Sequence, residues 1–265
     1  MRVPFELAFR RQGAGVLTFI RHAGGAAMLA GRATVALFTT RFELRQFLYQ
    51  LDHLGVRSFG IAAATAIFVG IVMTIQFAFS LERFGAQDSV GRVVGLSEAR
   101  ELAPSLTALV VGCRIGAGIT AELGSMKVTE QIDAIRALGA DPIRKLVVPR
   151  VLAGTVLMPL LCTLALVLGI GSAMVVSKVT FGMSMPFFLS TAIDSIDLAD
   201  FLSGICKTPF FGFLVCLLGC HFGLTTRGGT EGVGRSTTTS VVTVAIGVLV
   251  ADAILTQIFL NLFEV

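Results

Sequence analysis

Charged side chains are scarce in this sequence, since Asp, Glu, Lys and Arg make up only 14% of its 265 residues. A typical soluble domain has about 25%. Hydrophobic residues make up 54%, the mean hydropathy is +0.84, and 29 glycines lie among the apolar residues, a frequency that transmembrane helices tolerate better than soluble ones. This composition excludes a disordered chain and a collagen-like repeat, and it predicts an all-α integral membrane protein.

The five cysteines do not form a disulfide framework, because all of them lie in or beside apolar runs. We expect reduced residues that pack between helices, which excludes a secreted disulfide scaffold. Cys216, Cys220 and His221 are close in sequence, but a fourth ligand is lacking, so packing is favoured over a metal site. No set of Ser, His, Asp and Cys has the context of a catalytic site, so neither an enzyme activity nor a cofactor site is predicted. The Arg-rich N-terminus lacks a short apolar core with a cleavage site, so we expect no signal peptide.

Five long apolar runs dominate the chain. The first has 23 residues without a charge, which corresponds to about 35 Å of helix, enough to cross about 30 Å of hydrocarbon. Charged residues interrupt the second, fourth and fifth runs, and Pro159 predicts a kink in the third. The predicted spans are residues 58–80, 102–121, 151–177, 201–224 and 240–263, in a five-span domain over residues 58–265 that follows an N-terminal region over residues 1–57.

Basic residues are distributed unequally between the two sides of these spans. Fifteen of the 21 Lys and Arg fall on the side of the N-terminus: eight in residues 1–57, five between the second and third spans, and two before the fifth. The opposite side has five, together with seven acidic residues. Because cytoplasmic loops carry the excess of Lys and Arg, we predict a cytoplasmic N-terminus and a C-terminus on the outer side. This topology explains the net charge of +4, so a nucleic-acid partner is not predicted.

The N-terminal region is too polar to span a membrane but contains an amphipathic stretch. Apolar residues recur at helical spacing from Leu44 to Leu54, with Arg45 and Asp52 among the polar residues between them. A helix of this kind beside a span is typical of one that lies in the membrane interface. The alternative is a cytoplasmic helix that packs on a partner.

The loop after the second span contains a short amphipathic segment. Gly139 and Asp141-Pro142 predict where its helix ends. Because a short helix between two spans has no core of its own, we expect it to dock on another protein, although packing on the chain's own helix ends is an alternative. Its apolar stripe consists of Val128, Ile132, Ile135 and Leu138.

One segment is close to a nucleotide-binding motif. Residues Gly229–Ser236 nearly fit the P-loop pattern, with Arg235 in place of the lysine. A P-loop follows a β-strand in an α/β domain, whereas this segment follows a predicted span. A turn before the fifth span is therefore favoured, and the chain is not expected to hydrolyse ATP by itself.

Ionisable residues within the spans are costly and therefore informative. Arg100 and Glu101 stand at the start of the second span, Arg114 lies at its middle, Lys207 is near the start of the fourth, and Asp252 is near the middle of the fifth. Their opposite signs predict pairs across the bundle, with Arg114 or Lys207 as the partner of Asp252. Such pairs either only fix helix register or line a polar entry where a lipid headgroup sits.

Small residues spaced four apart predict close helix contacts. They occur at Gly112 and Gly116, and again at Gly219 and Gly223. The spacing leaves open whether these contacts lie within the chain or across a dimer.

Four separated motifs occur in an order that resembles the MlaE/YrbE permeases, which are the membrane subunits of MCE-type ABC lipid transporters. The resemblance extends from about Leu44 to the C-terminus. The motifs are Arg100–Pro104, Ala121–Ile135, Ala140–Arg150 and Glu231–Thr238.

The resemblance implies partners that the residue pattern alone does not indicate. These permeases form a homodimer, bind two cytoplasmic ATPase subunits (MlaF-like) that hold ATP and Mg²⁺, and lie beneath a periplasmic ring of MCE-domain proteins (MlaD-like). A STAS-domain protein (MlaB-like) often binds the ATPase. The implied location is the bacterial inner membrane, and the implied lipid pocket lies at the dimer centre and opens towards the periplasm. The implied cargo is a phospholipid, moved to maintain outer-membrane lipid asymmetry.

Site residues are carried over from the same resemblance. The coupling helix that sits in an ATPase groove would include Glu130, Gln131, Ile132 and Asp133, and Ile135 of the apolar stripe belongs to the same helix. Candidate residues for the lipid pocket or its gate are Arg100, Glu101, Lys207 and Asp252, together with the mid-span residue Arg114.

Three other functions stay open at this point. The cargo could be a sterol or another apolar lipid, in either direction. An ion-coupled secondary transporter would often show an internal repeat, whereas no repeat is found and five spans do not divide evenly. A membrane anchor for a cytoplasmic complex would not transport anything.

Overall fold

A computed structural model describes the backbone of residues 4–39 and 44–263 and the side chains of residues 20–37 and 44–262. Within these ranges the chain folds into nine α-helices. A short 3₁₀ turn, Gln87–Ser89, precedes α3, and π-helical segments at Glu98–Leu106 and Ile143–Val147 lead into α4 and α6. The helices are α1 Pro4–Thr39, α2 Leu44–Glu82, α3 Val90–Ser97, α4 Thr107–Val128, α5 Gln131–Ala137, α6 Val148–Phe181, α7 Met185–Asp194, α8 Leu198–Thr225 and α9 Gly229–Phe263.

Five helical stretches are long and apolar enough to cross a membrane, which confirms the predicted class and number of spans. The first four predicted apolar runs lie inside these stretches, and the fifth extends one residue past the end of its stretch. The helices continue beyond the runs because polar residues at a helix end do not by themselves break the helix. The stretches are Leu44–Glu82, Gln87–Val128, Ile143–Phe181, Leu198–Thr225 and Gly229–Leu262.

The start of the first span differs from the prediction. Residues 44–57 are the first turns of α2 and continue without a break into the apolar run, so the boundary predicted at residue 58 is not a break between helices. The break lies between α1 and α2. Leu54, Gly55 and Ser58 are buried on α2, so one side of this stretch packs on the bundle. Whether residues 44–54, or the N-terminal region as a whole, lie in the membrane interface stays a prediction.

A short helix between the third and fourth spans was not predicted from the sequence. This helix, α7, buries Phe188 and Ala192, which pack in one cluster with Val90 and Val94 of α3. The helical stretch that contains the second predicted span begins at Gln87, well before residue 102, and includes α3. We call this end of the bundle the α7 end, and the opposite end, which contains α5 and the ends of α4 and α8, the α5 end.

Glycines allow the central helices to approach closely. The carbonyl of Gly154 on α6 lies against Gly212 of α8, in space that a side chain would need. Gly116 of α4 likewise contacts Gly219 of α8. The predicted small-residue contact between α4 and α8 is therefore within the chain.

Substitution of Gly212 by Ala is expected to destabilise the folded chain. The added methyl group would meet the Gly154 carbonyl, and a backbone atom cannot move aside, so the cost should be at least the usual 1–3 kcal/mol, roughly, of overpacking. Thermal unfolding in detergent measures this effect. Gly171→Ala is the matched control, because nothing lies within 4 Å of the methyl group it would add. Equal unfolding temperatures for the two variants would contradict the prediction.

Candidate functional site

A buried lysine lies at the centre of an ionic cluster between three spans. The side chain of Lys207 on α8 is only 2% exposed. Its ammonium donates hydrogen bonds of 2.8 Å to Glu101 Oε1 and to Thr256 Oγ1, and it lies 3.8 Å from Asp252 Oδ1. Ser105 donates a hydrogen bond of 2.7 Å to the other oxygen of Asp252. We call these five residues the Lys207 cluster.

The π-helical segment before α4 contributes Glu101 and Ser105 to this cluster. Pro104 lies inside the segment, and because proline lacks a backbone N–H it cannot make the regular i→i−4 bond. Such local widening of a helix is frequent at functional sites. The segment thus brings Glu101 and Ser105 of the second span to Lys207 of the fourth and Asp252 of the fifth.

Arg100 forms a second ion pair next to the cluster. Its guanidinium contacts Asp200, at 2.5 Å, and the Asp200 side chain is 2% exposed. Asp200 also belongs to the capping box that begins α8, so this pair ties the second span to the start of the fourth. Only the backbone carbonyl of Arg100 reaches Lys207, at 3.3 Å. The cavity between the two pairs has a volume of about 20 Å³, which is room for about one water molecule.

Arg114 lies outside the cluster. It donates a hydrogen bond of 2.8 Å to Ser58 Oγ on α2, so of the two predicted partners of Asp252 only Lys207 is correct. The structure thus brings together Glu101, Lys207 and Asp252, with Arg100 adjacent to them. The functional roles of these residues stay predictions.

A long apolar groove along α9 was missed by the sequence reasoning. It has a volume of about 540 Å³ and lies between α1, α8 and α9. In the most apolar 18-residue segment of each helix, only 11% is buried in α9, compared with 50% in α8. No periodicity could have found this groove, because apolar side chains surround every span. The exposed apolar side chains of α9 include Ile246, Val250 and Ile254.

The helix between the second and third spans is α5, and its apolar stripe does not form one surface. Ile132 is 1% exposed and lines a cavity shared with α1, whereas Leu138 is 87% exposed. The side chain of Ile132 thus packs on its own chain in this structure, and its predicted part in ATPase coupling stays a prediction. Ile135 is half-buried, and Glu130 precedes the helix with a φ of 59°.

An ion pair holds α5 against the end of α4, and a second one lies within α5. Lys127 donates a hydrogen bond of 2.7 Å to Asp133, and Arg136 lies 3.4 Å from the same carboxylate. The hydrogen bond from Lys127, together with the two positive charges, lowers the pKa of Asp133 below its usual value. Asp133 thus stays ionised at neutral pH and stabilises the turn. Gln131 and Glu130 are exposed and remain available for a partner.

Comparison with known proteins places this arrangement in a family. A family model described as Permease MlaE matches residues 47–258. A chloroplast protein of Arabidopsis thaliana named trigalactosyldiacylglycerol 1 is 37% identical over 232 residues, covering 88% of this chain and 66% of that protein. A probable ABC transporter permease of Synechocystis is 40% identical over 84% of this chain and 85% of its own length. A probable ABC transporter permease of Rickettsia typhi is 34% identical over 93% of this chain and 95% of its own length. These matches confirm the predicted resemblance: the chain belongs to the MlaE family and is the permease of an ABC transporter.

Proposed function

We propose that this permease moves a phospholipid between the inner membrane and a periplasmic MCE-domain protein, with energy from cytoplasmic ATPase subunits. The observation that carries the proposal is the Lys207 cluster. Buried ionisable residues in a membrane bundle are expensive and usually mark a functional pathway. A lipid phosphate is an anion that the Lys207 ammonium can bind when a carboxylate gives way.

The acyl chains need an apolar surface next to the charged site. The exposed apolar face of α9 supplies one, and Asp252 and Thr256 of the cluster belong to the same helix. A second copy of the chain facing α9 would enclose a cavity with apolar walls and two Lys207 clusters. The proposed transporter is therefore a homodimer with its lipid pocket at the dimer centre, open towards the periplasm.

The energy enters at α5. We assign the α5 end to the cytoplasm because it carries most of the Lys and Arg. Closure of the ATPase subunits on ATP would push α5, and the Lys127–Asp133 ion pair would pass the movement to α4. Since the segment before α4 holds Glu101, the same movement would change the distance between Glu101 and Lys207.

A reconstitution experiment tests the proposal. The chain is co-purified with the MlaF-type ATPase of its own organism and inserted into vesicles containing a fluorescent phosphatidylethanolamine, and the purified MCE-domain protein is the second lipid carrier. Transfer of the label between the vesicles and this protein should require ATP and should stop with an ATPase that cannot hydrolyse it. The assay measures transfer in both directions.

Two results would overturn the proposal. Transfer by the isolated chain under an ion gradient, without any ATPase, would make it a secondary transporter. Failure to move phospholipid while a sterol is moved would replace the cargo.

A further inference from the structure

A second cavity lies at the α5 end, beside α5. It has a volume of about 610 Å³ and is formed by the start of α2, the end of α4, α5 and the start of α6. We call it the basic cleft. Its lining combines apolar side chains with charged and polar ones, and those used below are Arg45, Tyr49, Gln50, Glu122, Lys145 and Arg150. We call its exposed cations, Arg45 and Lys145, the mouth of the cleft and its buried residues, Gln50 and Arg150, the floor.

The charge of the basic cleft is unbalanced. Three cations, Arg45, Lys145 and Arg150, face a single acid, Glu122. Glu122 is already bound by Arg150, at 2.8 Å. Arg45 and Lys145 are exposed and form no ion pair among the described side chains. The cleft therefore attracts an anionic group.

The floor of the basic cleft has buried hydrogen-bonding groups that are left unused. Arg150 is 4% exposed and Gln50 is 7% exposed. Arg150 Nε and Gln50 Oε1 have no hydrogen-bond partner among the described residues. Buried polar atoms in native proteins are nearly always paired, so these two point to a ligand. One is a donor and the other an acceptor. A peptide satisfies both with its carbonyl and amide groups, whereas a phosphodiester group has only acceptor oxygens and cannot donate to Gln50.

The position of the cleft along α2 also favours a protein over a lipid headgroup. Gln50 and Arg45 precede the apolar run, which begins at Ser58, by 8 and 13 residues. At about 1.5 Å per residue this is about 12–20 Å of helix. The headgroup layer on each side of a bilayer is only about 5–8 Å thick. With the hydrocarbon boundary at Ser58, this length places the mouth of the cleft in water beyond the lipid headgroups.

We propose that the basic cleft receives an acidic segment of the ATPase subunit as a second docking contact beside α5. The inference rests on the proposed function, since it names the chemistry of the partner at the energy-coupling end. Ile135 of α5 lines the cleft, so a partner seated on α5 has the cleft within reach. A carboxylate of the partner would be bound by Arg45 and Lys145, and its main chain by Arg150 and Gln50.

Charge reversal at the mouth tests this contact. The variant R45E/K145E leaves Arg150 and Gln50 in place, and its binding to the purified ATPase in detergent should be at least tenfold weaker than that of the wild type. The wild-type affinity should fall with added salt and that of the variant much less, because exposed charges are screened. R227E/R235E is the matched control, since it reverses two exposed cations at the same end outside the cleft and should bind like the wild type.

A photo-crosslinking residue in place of Tyr49, which is 63% exposed, gives a second readout that does not depend on folding of the charge variants. The expected product is a crosslink to the ATPase within a peptide rich in Asp or Glu. Crosslinks to lipid alone, or equal ATPase affinities for R45E/K145E and R227E/R235E, would overturn the inference while the proposed function stands. Absence of ATPase binding by the wild-type chain would instead overturn the proposed function.

Discussion

Replacement of Lys207 by Met is expected to abolish ATP-driven lipid transfer and to lower the stability of the permease. The substitution removes the only cation of the Lys207 cluster and leaves Glu101 and Asp252 without their counter-charge. Removal of one partner from a fully buried ion pair costs about 3–5 kcal/mol. Lys207 is 2% exposed, but Glu101 is 42% and Asp252 17% exposed, so the cost here should be smaller because water screens the carboxylates that remain. Vesicle transfer and thermal unfolding measure the two effects. Arg114→Met is the control, because Arg114 is a span cation that is hydrogen-bonded to Ser58 and forms none of the described ion pairs.

A triple variant separates the structural role of the cluster from its role in transport. In E101Q/K207M/D252N all three charged residues of the cluster are replaced by neutral ones of similar size, so most of the lost stability should return. Transport should remain absent if the ammonium binds the lipid phosphate. Wild-type transfer by this triple variant would mean that the cluster only fixes the register of the helices.

The charged residues show how far the sequence can locate a site in a membrane bundle. Because each charge in an apolar run must find a partner, the sequence correctly predicted that Asp252 and Lys207 meet. It could not exclude Arg114, because the relative height of residues on different helices depends on tilt and on the π-helical segment around Pro104. The part played by Ser105 and Thr256 was also missed, since hydroxyl residues are common in spans.

The helices were likewise predictable from the sequence only in part. Apolar runs predicted all five spans, but a run ends where the hydrocarbon ends, whereas a helix ends where its hydrogen bonds stop. Residues 44–57 and 90–101 are therefore helical although they lie outside the predicted spans. The short helix α7 is as apolar as a span but much shorter, and its burial against α3 is a tertiary contact that local pattern does not reveal.

Substitution of Leu138 by Asp is expected to abolish stable ATPase binding. Leu138 follows α5 and is 87% exposed, so in the proposed complex its side chain is buried by the partner. A charge at a central, desolvated position of an interface typically costs more than about 2 kcal/mol, which is roughly thirty-fold in affinity. Co-purification and a binding titration with the purified ATPase measure the effect. Phe84→Asp is the control, because Phe84 is 83% exposed in the turn after α2, at the α7 end.

Ile132→Ala should lower the stability of the chain but not its affinity for the ATPase, in contrast to Leu138→Asp. The comparison tests whether the apolar stripe of α5 consists of a buried part and a part that binds the partner. Ile132 is 1% exposed and packs on its own chain, so its truncation should cost about 2–5 kcal/mol of stability. The folded fraction should still bind the ATPase with nearly wild-type affinity, because the outer surface of α5 is unchanged. A variant I132A that stays stable but loses the ATPase, together with an L138D that keeps it, would mean that the partner binds the face of α5 that this structure buries.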